Sequence, residues 1–319
     1  MTQHTLSTAL GNDLQRDDRP HRKGIAITSP RNGSPTRALV LGGGGAVGVG
    51  WQTGLLIGLH EAGVDLAGAE AIVGTSAGAL VGALLASGRE VTDALTSLAA
   101  LGQSIDPDSL AAGDEAFLSA VRQASLETDP RQALRAIGHA AKMASTPTED
   151  VYLGLFGTLD GIAWPAGFRC VAIDTDTGDL AVWDQRSAVP LLHAVASSCA
   201  APALFPTVTI NGRRYMDGGI LSHLNATAAP PTDVLVVMSC HPLGSQGARG
   251  GGALAASVTP DKELAPLRQT RRVIAVEPDF SDIGAPANMM DPNHAVEAFQ
   301  VGRRQAAGEA TAIQAAWNF

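Results

Sequence analysis

The chain is poor in cysteine, in aromatic residues and in positive charge. Its 319 residues include three cysteines, and 4% of them are aromatic. No CxxC pair or Cys/His cluster has zinc spacing, which predicts free thiols in a reducing compartment and no metal site. Twenty-two lysines and arginines face 31 aspartates and glutamates, for a net charge of −9. That deficit argues against a nucleic-acid partner, and it leaves no polybasic patch for an anionic membrane.

Long apolar runs are also missing. The first residues lack the apolar core of a signal peptide, and no uncharged apolar run reaches the roughly 18 residues that span a bilayer. We therefore expect a cytoplasmic protein, with transient peripheral contact to membranes or micelles as a further expectation. Residues 1–36 are polar and contain three prolines, a composition typical of a flexible leader. Residues 37–319 are expected to form a single domain.

Glycine and alanine are abundant, and they surround short apolar runs that predict buried strands. The expected strands are 37–41, 69–73, 168–173, 180–183, 234–238 and 273–276, with a hairpin over 208–215. Helical patterns alternate with these strands, which predicts a three-layer α/β/α fold with a mainly parallel central sheet. Region 90–158 is helical throughout, and it forms either a cap over a site or ordinary covering helices. A glycine-rich surface loop is expected at 244–252 and a last helix at 293–316.

The most informative motif is a serine in a turn of small residues, between an apolar strand and an apolar helix. Its sequence runs Gly74, Thr75, Ser76, Ala77, Gly78. A G-x-S-x-G in that setting is typical of a nucleophile elbow. The two glycines are expected to allow tight packing and unusual backbone angles in the turn. Ser76 is therefore the candidate nucleophile.

A glycine-rich loop follows the first strand, at Gly43–Gly48. It fits the dinucleotide fingerprint, but that interpretation requires an acidic residue at the end of the second strand, and the elbow stands there instead. The alternative is an oxyanion hole, in which backbone N–H groups and a helix N-terminus stabilise a tetrahedral intermediate. Because parallel strands end at one edge of a sheet, this loop and Ser76 can face each other.

A serine nucleophile also needs a proton acceptor. The chain has eight histidines, and none stands in a compelling motif, although His223, His241 and His294 fall near strand ends or loops. Asp217 is the better candidate, because it follows the predicted hairpin and precedes two glycines. A free aspartate is a weak base, so this role requires a dry pocket that raises its pKa.

Taken together, four motifs resemble the patatin-like phospholipase family: 43–48, 74–78, 196–202 and 217–219. The resemblance covers about residues 37–305. It implies a serine acyl hydrolase that cleaves lipid carboxyl esters, with Ser76 as nucleophile, Asp217 as base and no histidine, metal or organic cofactor. It also implies an oxyanion loop made of Gly43, Gly44, Gly45, Ala46, Val47 and Gly48. The implied neighbours of Ser76 in the elbow are Gly74, Thr75, Ala77 and Gly78. The implied aspartate motif continues from Asp217 into Gly218 and Gly219.

One position departs from the family pattern. Val47 stands where the family's oxyanion loop usually carries arginine or lysine, and Arg213 or Arg214 is a candidate to compensate in space. Three functions therefore stay open. The first is the Ser–Asp hydrolase of lipid or other acyl esters. The second is an α/β-hydrolase-type esterase with a Ser-His-Asp triad that uses His294. The third is a weakly active lipid-binding or regulatory protein.

Overall fold

The computed structural model describes residues 36–104, 107–124, 126–244, 259–284, 286 and 288–317. The predicted leader lies outside these residues except for its last position, and so does nearly all of the predicted glycine-rich surface loop. The strands are β1 (Arg37–Leu41), β2 (Ala71–Gly74), β3 (Phe168–Asp174), β4 (Leu180–Trp183), β5 (Val208–Ile210), β6 (Arg213–Asp217), β7 (Val234–Met238) and β8 (Arg272–Val276). The α-helices are α1 (Gly45–Glu61), α2 (Ala77–Ala86), α3 (Asp93–Ser104), α4 (Pro107–Ala124), α5 (Pro130–Met143), α6 (Glu149–Gly154), α7 (Leu191–Ser198), α8 (Pro260–Leu267) and α9 (Ala295–Trp317).

All eight strands belong to one mixed sheet, in the order β5-β6-β3-β2-β1-β7-β8, with β4 also paired to β3. Strands β3, β2, β1, β7 and β8 run parallel, while β4, β5 and β6 are antiparallel to their neighbours. Alternate β1 residues face two cores. Leu39 and Leu41 pack in the core that contains α1, α2, α7 and α9, while Ala38 and Val40 pack against α8 and residues 224–229. The expected α/β fold with helices flanking a mainly parallel sheet is confirmed.

Strands β2 and β6 meet end to end along the same edge of β3. In the ladder registers, Gly74 at the end of β2 lies opposite Cys170, and Asp217 at the end of β6 lies opposite Ala172. The opposite edge of β3 is occupied by β4. The two partner positions are two residues apart along β3, which corresponds to about 7 Å. This arrangement brings the elbow that follows β2 close to an aspartate that is distant in sequence.

The abundant glycines explain how α9 approaches α1. Gly50, Gly54 and Gly58 form a stripe with a spacing of four along α1, and a Cβ at each would overlap α9. On Gly50 it would meet the carbonyl oxygen of Ala295, and on Gly54 that of Phe299. The two helices therefore touch through their backbones.

Most predicted elements are present, and their ends differ from expectation by a few residues. Helix α1 begins at the glycine loop itself, and the last helix begins at Ala295 after a short 3-10 turn. Helix α8, which contains Pro266, was not predicted. Region 90–158 holds α3 to α6. Among the described residues, no helix has the length and apolar character needed to cross a membrane.

Candidate active site

In the elbow, the strained backbone conformation is that of Ser76 itself. Ser76 has φ 52° and ψ −119°, a conformation that a residue with a side chain holds only where its surroundings impose it. The flanking glycines serve a different purpose, because neither has a positive φ. A Cβ on Gly78 would overlap the carbonyl oxygen of Leu41, and one on Gly74 would overlap that of Gly78. The glycines thus provide space for α2 to sit directly on β1 and β2, while the unusual backbone angle lies at Ser76.

The backbone of the elbow is held by the last residue of α7 and the residue that follows it. The Ser76 N–H donates to Ser198 Oγ at 3.0 Å, and Cys199 Sγ donates to the Ser76 carbonyl oxygen at 3.1 Å. On its other side, the Thr75 N–H donates to the Leu41 carbonyl oxygen at 3.0 Å. The Ser198–Cys199 pair therefore fixes both backbone groups of the serine. Sequence reasoning placed these two residues in a family motif but assigned them no task.

Asp217 lies beside Ser76 in a nearly dry environment. Its carboxylate accepts hydrogen bonds from the Ser76 side chain and from the Gly219 N–H, the latter at 2.7 Å. The residue is 6% exposed. Burial raises the pKa of Asp217 to about 6, although both hydrogen bonds act to lower it. The carboxylate is thus a stronger base than a free aspartate and is already paired with the serine hydroxyl.

Asn225 links the elbow to the loop that follows Asp217. Its backbone is left-handed, with φ 49°, and its side chain is buried. The amide nitrogen donates to Thr75 Oγ1 at 3.2 Å, to the Gly218 carbonyl oxygen at 3.2 Å and to the Ser222 carbonyl oxygen at 2.6 Å. One side chain therefore holds together the segment before Ser76 and the segment after Asp217. No sequence signal singled out this residue.

Replacing Asn225 with alanine should destabilise the fold by about 3 kcal/mol, because buried acceptors lose their donor and alanine disfavours the left-handed backbone. Asn211 is a matched control, since its φ is 51° and its side chain is exposed at the hairpin turn. Asn211→Ala should cost about 1–2 kcal/mol for the backbone alone. Urea unfolding of both variants measures the difference. Equal losses would show that the Asn225 amide contributes nothing.

Three N–H groups of the glycine loop are already used in the fold. Gly43 N–H donates to the His223 carbonyl oxygen at 2.7 Å, Val47 N–H to that of Met289 at 3.1 Å, and Gly48 N–H to that of Gly44 at 2.8 Å. Within the described residues, no acceptor is found for the N–H groups of Gly44, Gly45, Ala46 or, across the site, Ala77. These four N–H groups are the donors that remain available to an oxyanion. Within the predicted loop Gly43–Gly48, the candidate donors are therefore limited to the central residues Gly44, Gly45 and Ala46.

The shape of the loop depends on close contacts beneath it. A Cβ on Gly44 would overlap the side chain of Cys240, and one on Gly45, whose φ is 58°, would overlap the Met289 carbonyl oxygen. The buried Gln52 side chain donates to the Gly42 carbonyl oxygen at 2.9 Å. Glycine is therefore required at both positions, and the loop is anchored from α1.

A cavity of about 60 Å³ opens beside Ser76. Its walls are almost entirely apolar and come from α1, α2, α3, α6 and the segments around Cys199 and Met290. The residues that line it are Gly45, Ala46, Val49, Ser76, Ala77, Leu80, Ser97, Leu98, Tyr152, Leu155, Phe156, Cys199, Phe205 and Met290. Residues of α3 and α6 are thus among those that line the cavity, so part of the helical region 90–158 borders it.

No histidine contributes to this cavity in the described part of the chain. His223 and His241 stack on each other with ring centroids 4.0 Å apart, and both are buried. Burial, reinforced for His223 by its neighbour, lowers their pKa values to about 3 and about 4 respectively. His294 instead faces Asp291 and Glu297 at 3.7 Å and 3.4 Å. Both of these pairs join residues three positions apart in sequence, and none of the three side chains lines the cavity.

The position of the expected basic residue is closed to solvent. Val47 is fully buried on α1. Arg213 pairs with Asp174, with Nε 2.6 Å from the carboxylate, and Arg214 Nε donates to Thr207 Oγ1 at 2.8 Å. Neither arginine lines the cavity. The idea that one of them replaces the missing charge beside the glycine loop is therefore wrong.

Comparison with known proteins identifies the family. A model of the patatin-like phospholipase family matches residues 39–230, which is more than half of the chain. The chain belongs to the patatin-like phospholipase family. The resemblance inferred from the four motifs is confirmed, and all of the candidate oxyanion, elbow and aspartate residues fall within the matched range.

The curated relatives of this family member carry the NTE family name. The uncharacterized NTE family protein Mb2594 of Mycobacterium bovis is 28% identical over 313 residues, covering 89% of this chain and 48% of that protein. The similarly named Mb1092c is 32% identical over 199 residues, covering 60% and 44%. The chain therefore spans about half the length of the curated relatives it matches.

Solved structures give weaker matches to this patatin-like chain. VipD from Legionella pneumophila is 15% identical with a TM-score of 0.42, covering 94% of this chain and 72% of that one. Full-length ExoU from Pseudomonas aeruginosa, solved with SpcU, is 18% identical with a TM-score of 0.36, covering 92% and 60%. Among the described residues, no group of three or more His, Cys, Asp or Glu side chains could hold a metal ion.

Proposed function

We propose that this protein is a serine acyl hydrolase that cleaves carboxyl esters of lipids through a Ser76–Asp217 dyad. Ser76 attacks the ester carbonyl while Asp217 accepts the hydroxyl proton. The free N–H groups of Gly44, Gly45 and Ala46 bind the oxyanion. The protonated Asp217 then returns its proton to the leaving alcohol, and an acyl-serine remains. Water attacks that ester with Asp217 again as base, which releases the carboxylic acid and restores the serine.

The observation that carries this proposal is the contact between the Ser76 side chain and the buried Asp217 carboxylate, at the mouth of an apolar cavity. A base in hydrogen-bond contact with the nucleophile, and with a pKa of about 6, suits proton transfer near neutral pH. The apolar walls suit an acyl chain. Contact with the lipid substrate at a membrane or micelle surface is part of the proposal.

A fluorophosphonate probe tests the nucleophile directly. The purified protein should be labelled, and mass spectrometry of its peptides should locate the probe on Ser76. A lipid panel, read as released fatty acids, then reports which esters are cleaved. Labelling of another residue, or none at all, would contradict the dyad.

The triad alternative receives no support from the geometry, because His294 is paired with two nearby carboxylates. His294→Ala should therefore leave the rate of probe labelling at Ser76 within about twofold of wild type, since the residue touches neither member of the dyad. His60, which lies exposed in the last turn of α1, is a matched surface control. A labelling rate that falls a hundredfold in His294→Ala alone would instead favour the triad.

The third candidate, a lipid-binding protein with little turnover, is motivated by Val47 and is decided by the same assays. It predicts lipid binding with no release of fatty acid above that of the Ser76→Ala variant.

A further inference from the structure

The position of the Ser76 backbone depends on the last turn of α7. Ser198 ends this helix and Cys199 follows it, and together they bind the N–H and the carbonyl oxygen of Ser76. The last carbonyl groups of a helix lack their intrahelical donors. In a continuing helix the Ala196 carbonyl oxygen would accept from residue 200, but the Ala200 N–H donates to the following carbonyl oxygen at 3.4 Å. The carbonyl group two residues before Ser198 is therefore open to a donor from outside the helix.

Tyr152 of α6 is that donor. Its hydroxyl donates to the Ala196 carbonyl oxygen at 3.0 Å. The same oxygen accepts from the Cys199 N–H at 3.1 Å, but this N–H is equally close to the Val195 carbonyl oxygen. Tyr152 is 2% exposed, so its bond to Ala196 is shielded from water. A hydrogen bond from outside α7 therefore fixes the turn that holds the candidate nucleophile.

Packing of the Tyr152 ring directs this hydroxyl. The ring stacks on Phe205 with centroids 5.2 Å apart and meets Phe156 edge-on at 5.3 Å. Helix α6 is itself attached to β5 at its first residue, because the Glu149 carboxylate accepts a hydrogen bond from Thr209 Oγ1 at 2.8 Å. The variant Tyr152→Phe would keep the ring contacts and lose only the bond to α7.

The last turn of α7 has a second attachment, which comes from β4. Trp183 Nε1 donates to Ser197 Oγ at 3.2 Å, and Ser197 Oγ donates to the Ala194 carbonyl oxygen at 2.7 Å. Because this attachment does not involve Tyr152, removal of the tyrosine hydroxyl should leave α7 folded. The change should be in how firmly the end of the helix, and with it the Ser76 backbone, is held.

We propose that Tyr152 is a positioning residue for the nucleophile, because its hydroxyl fixes the end of α7 and thereby the strained backbone of Ser76. The contact acts through Ser198 and Cys199, and its effect on rate rests on the proposed hydrolase function. Strain such as that at Ser76, with φ 52°, persists only where the surrounding structure imposes it, and α6 supplies part of that structure. The register on β3 sets the distance from the elbow to Asp217, and Tyr152 acts on the conformation of the serine within that frame.

Tyr152→Phe should lower kcat on a cleaved nitrophenyl ester by about tenfold and leave KM within about twofold, because the nucleophile is less well placed while the cavity wall is kept. Tyr215→Phe is the matched control. Tyr215 is also buried and packs edge-on against Trp183 at 4.9 Å, and its hydroxyl has no hydrogen-bond partner within the described residues. The control should keep both constants within about twofold. A wild-type kcat in Tyr152→Phe, with or without a higher KM, would overturn the proposal.

A double-mutant cycle tests the route from Tyr152 to the serine. Ser198→Ala removes the acceptor of the Ser76 N–H and should by itself lower kcat by about tenfold. In that background Tyr152→Phe should lower kcat by less than about threefold further, because its route to the nucleophile is already interrupted. Thermal melting identifies a variant that fails to fold, and Cys199→Ala then takes the place of Ser198→Ala. Losses that multiply to about a hundredfold would show that Tyr152 acts by another route.

Hydrogen exchange separates this proposal from the hydrolase proposal, since it requires no turnover. The Ser76 amide is bonded to Ser198 Oγ, and its exchange, followed by NMR relative to the amide of Val236 in the buried strand β7, reports how firmly the elbow is held. This exchange should be at least about tenfold faster in Tyr152→Phe than in the wild type and unchanged in Tyr215→Phe. Faster exchange in a protein that cleaves no ester would reject the hydrolase and retain the positioning role. Unchanged exchange in a protein that cleaves esters would reject the positioning role and retain the hydrolase.

Discussion

Ser76→Ala should lower kcat on any cleaved ester by a thousandfold or more, and Ser76→Gly should do the same while melting at a higher temperature than Ser76→Ala. Both variants lack the attacking oxygen, so both lose the acyl-serine. They differ in the backbone, because φ 52° and ψ −119° at Ser76 strain a residue with a Cβ by about 1–3 kcal/mol. Glycine removes that strain.

The comparison between alanine and glycine isolates the strain, since both variants lose the hydrogen bond to Asp217. Ser87 is a matched control at the end of the same helix, with an ordinary φ of −84°. There Ser87→Gly should be about 0.5–1 kcal/mol less stable than Ser87→Ala. Denaturant unfolding of the four variants gives both differences. The strain assignment fails if alanine is as stable as glycine at position 76, and the nucleophile assignment fails if either Ser76 variant retains turnover.

Asp217→Asn should lower kcat/KM by about 10²–10⁴, because an amide cannot accept the serine proton. In the wild type, activity requires the carboxylate form. Burial raises the pKa of Asp217 to about 6, so kcat/KM should rise with pH through this value and be about tenfold lower at pH 5 than at pH 8. The residual activity of Asp217→Asn should lack this step. A profile with the same step in both proteins would assign it to another group.

The raised pKa of Asp217 also affects the stability of the fold, in the opposite direction to its effect on activity. Between pH 4 and pH 6 the folded state holds a proton on Asp217 that the unfolded state has lost, so the stability of the wild type falls as pH rises. The full difference is on the order of 3 kcal/mol, and Asp217→Asn should be more stable than the wild type by up to that amount at pH 8. Asp174→Asn is the matched control, because its partner Arg213 lowers the pKa of Asp174 and reverses the sign. Unfolding at several pH values measures both.

The sequence predicted the sheet and the elbow because each depends on local patterns. Strand β1 and strand β7 follow from apolar runs, and Ser76 follows from small residues between a strand and a helix. The pairing of Ser76 with Asp217 could be expected only through the family resemblance. Their contact depends on the register of β2 and β6 against β3, and register is a long-range property that no local pattern contains.

Other parts of the site were beyond sequence reasoning for related reasons. The roles of Ser198 and Asn225 depend on which backbone groups come within reach after folding, and neither residue type marks such a role in advance. The available oxyanion donors depend on which N–H groups the fold already uses, as at Gly43 and Val47. Helix α8 was missed because its internal Pro266 usually ends a helix.

Strand β3 serves as a common reference for both members of the proposed dyad. Gly74 at the end of β2 pairs with Cys170, and Asp217 at the end of β6 pairs with Ala172. The distance between the elbow and the aspartate is therefore set by β3 and is independent of the chain segment that connects the two. Insertions or deletions in the helices between β2 and β3 leave that distance unchanged, although these helices provide Ser97, Leu98 and Tyr152 to the cavity. The spacing of the proposed dyad and the walls of the cavity can therefore diverge separately during evolution, because the first is set by a single strand and the second by the helices.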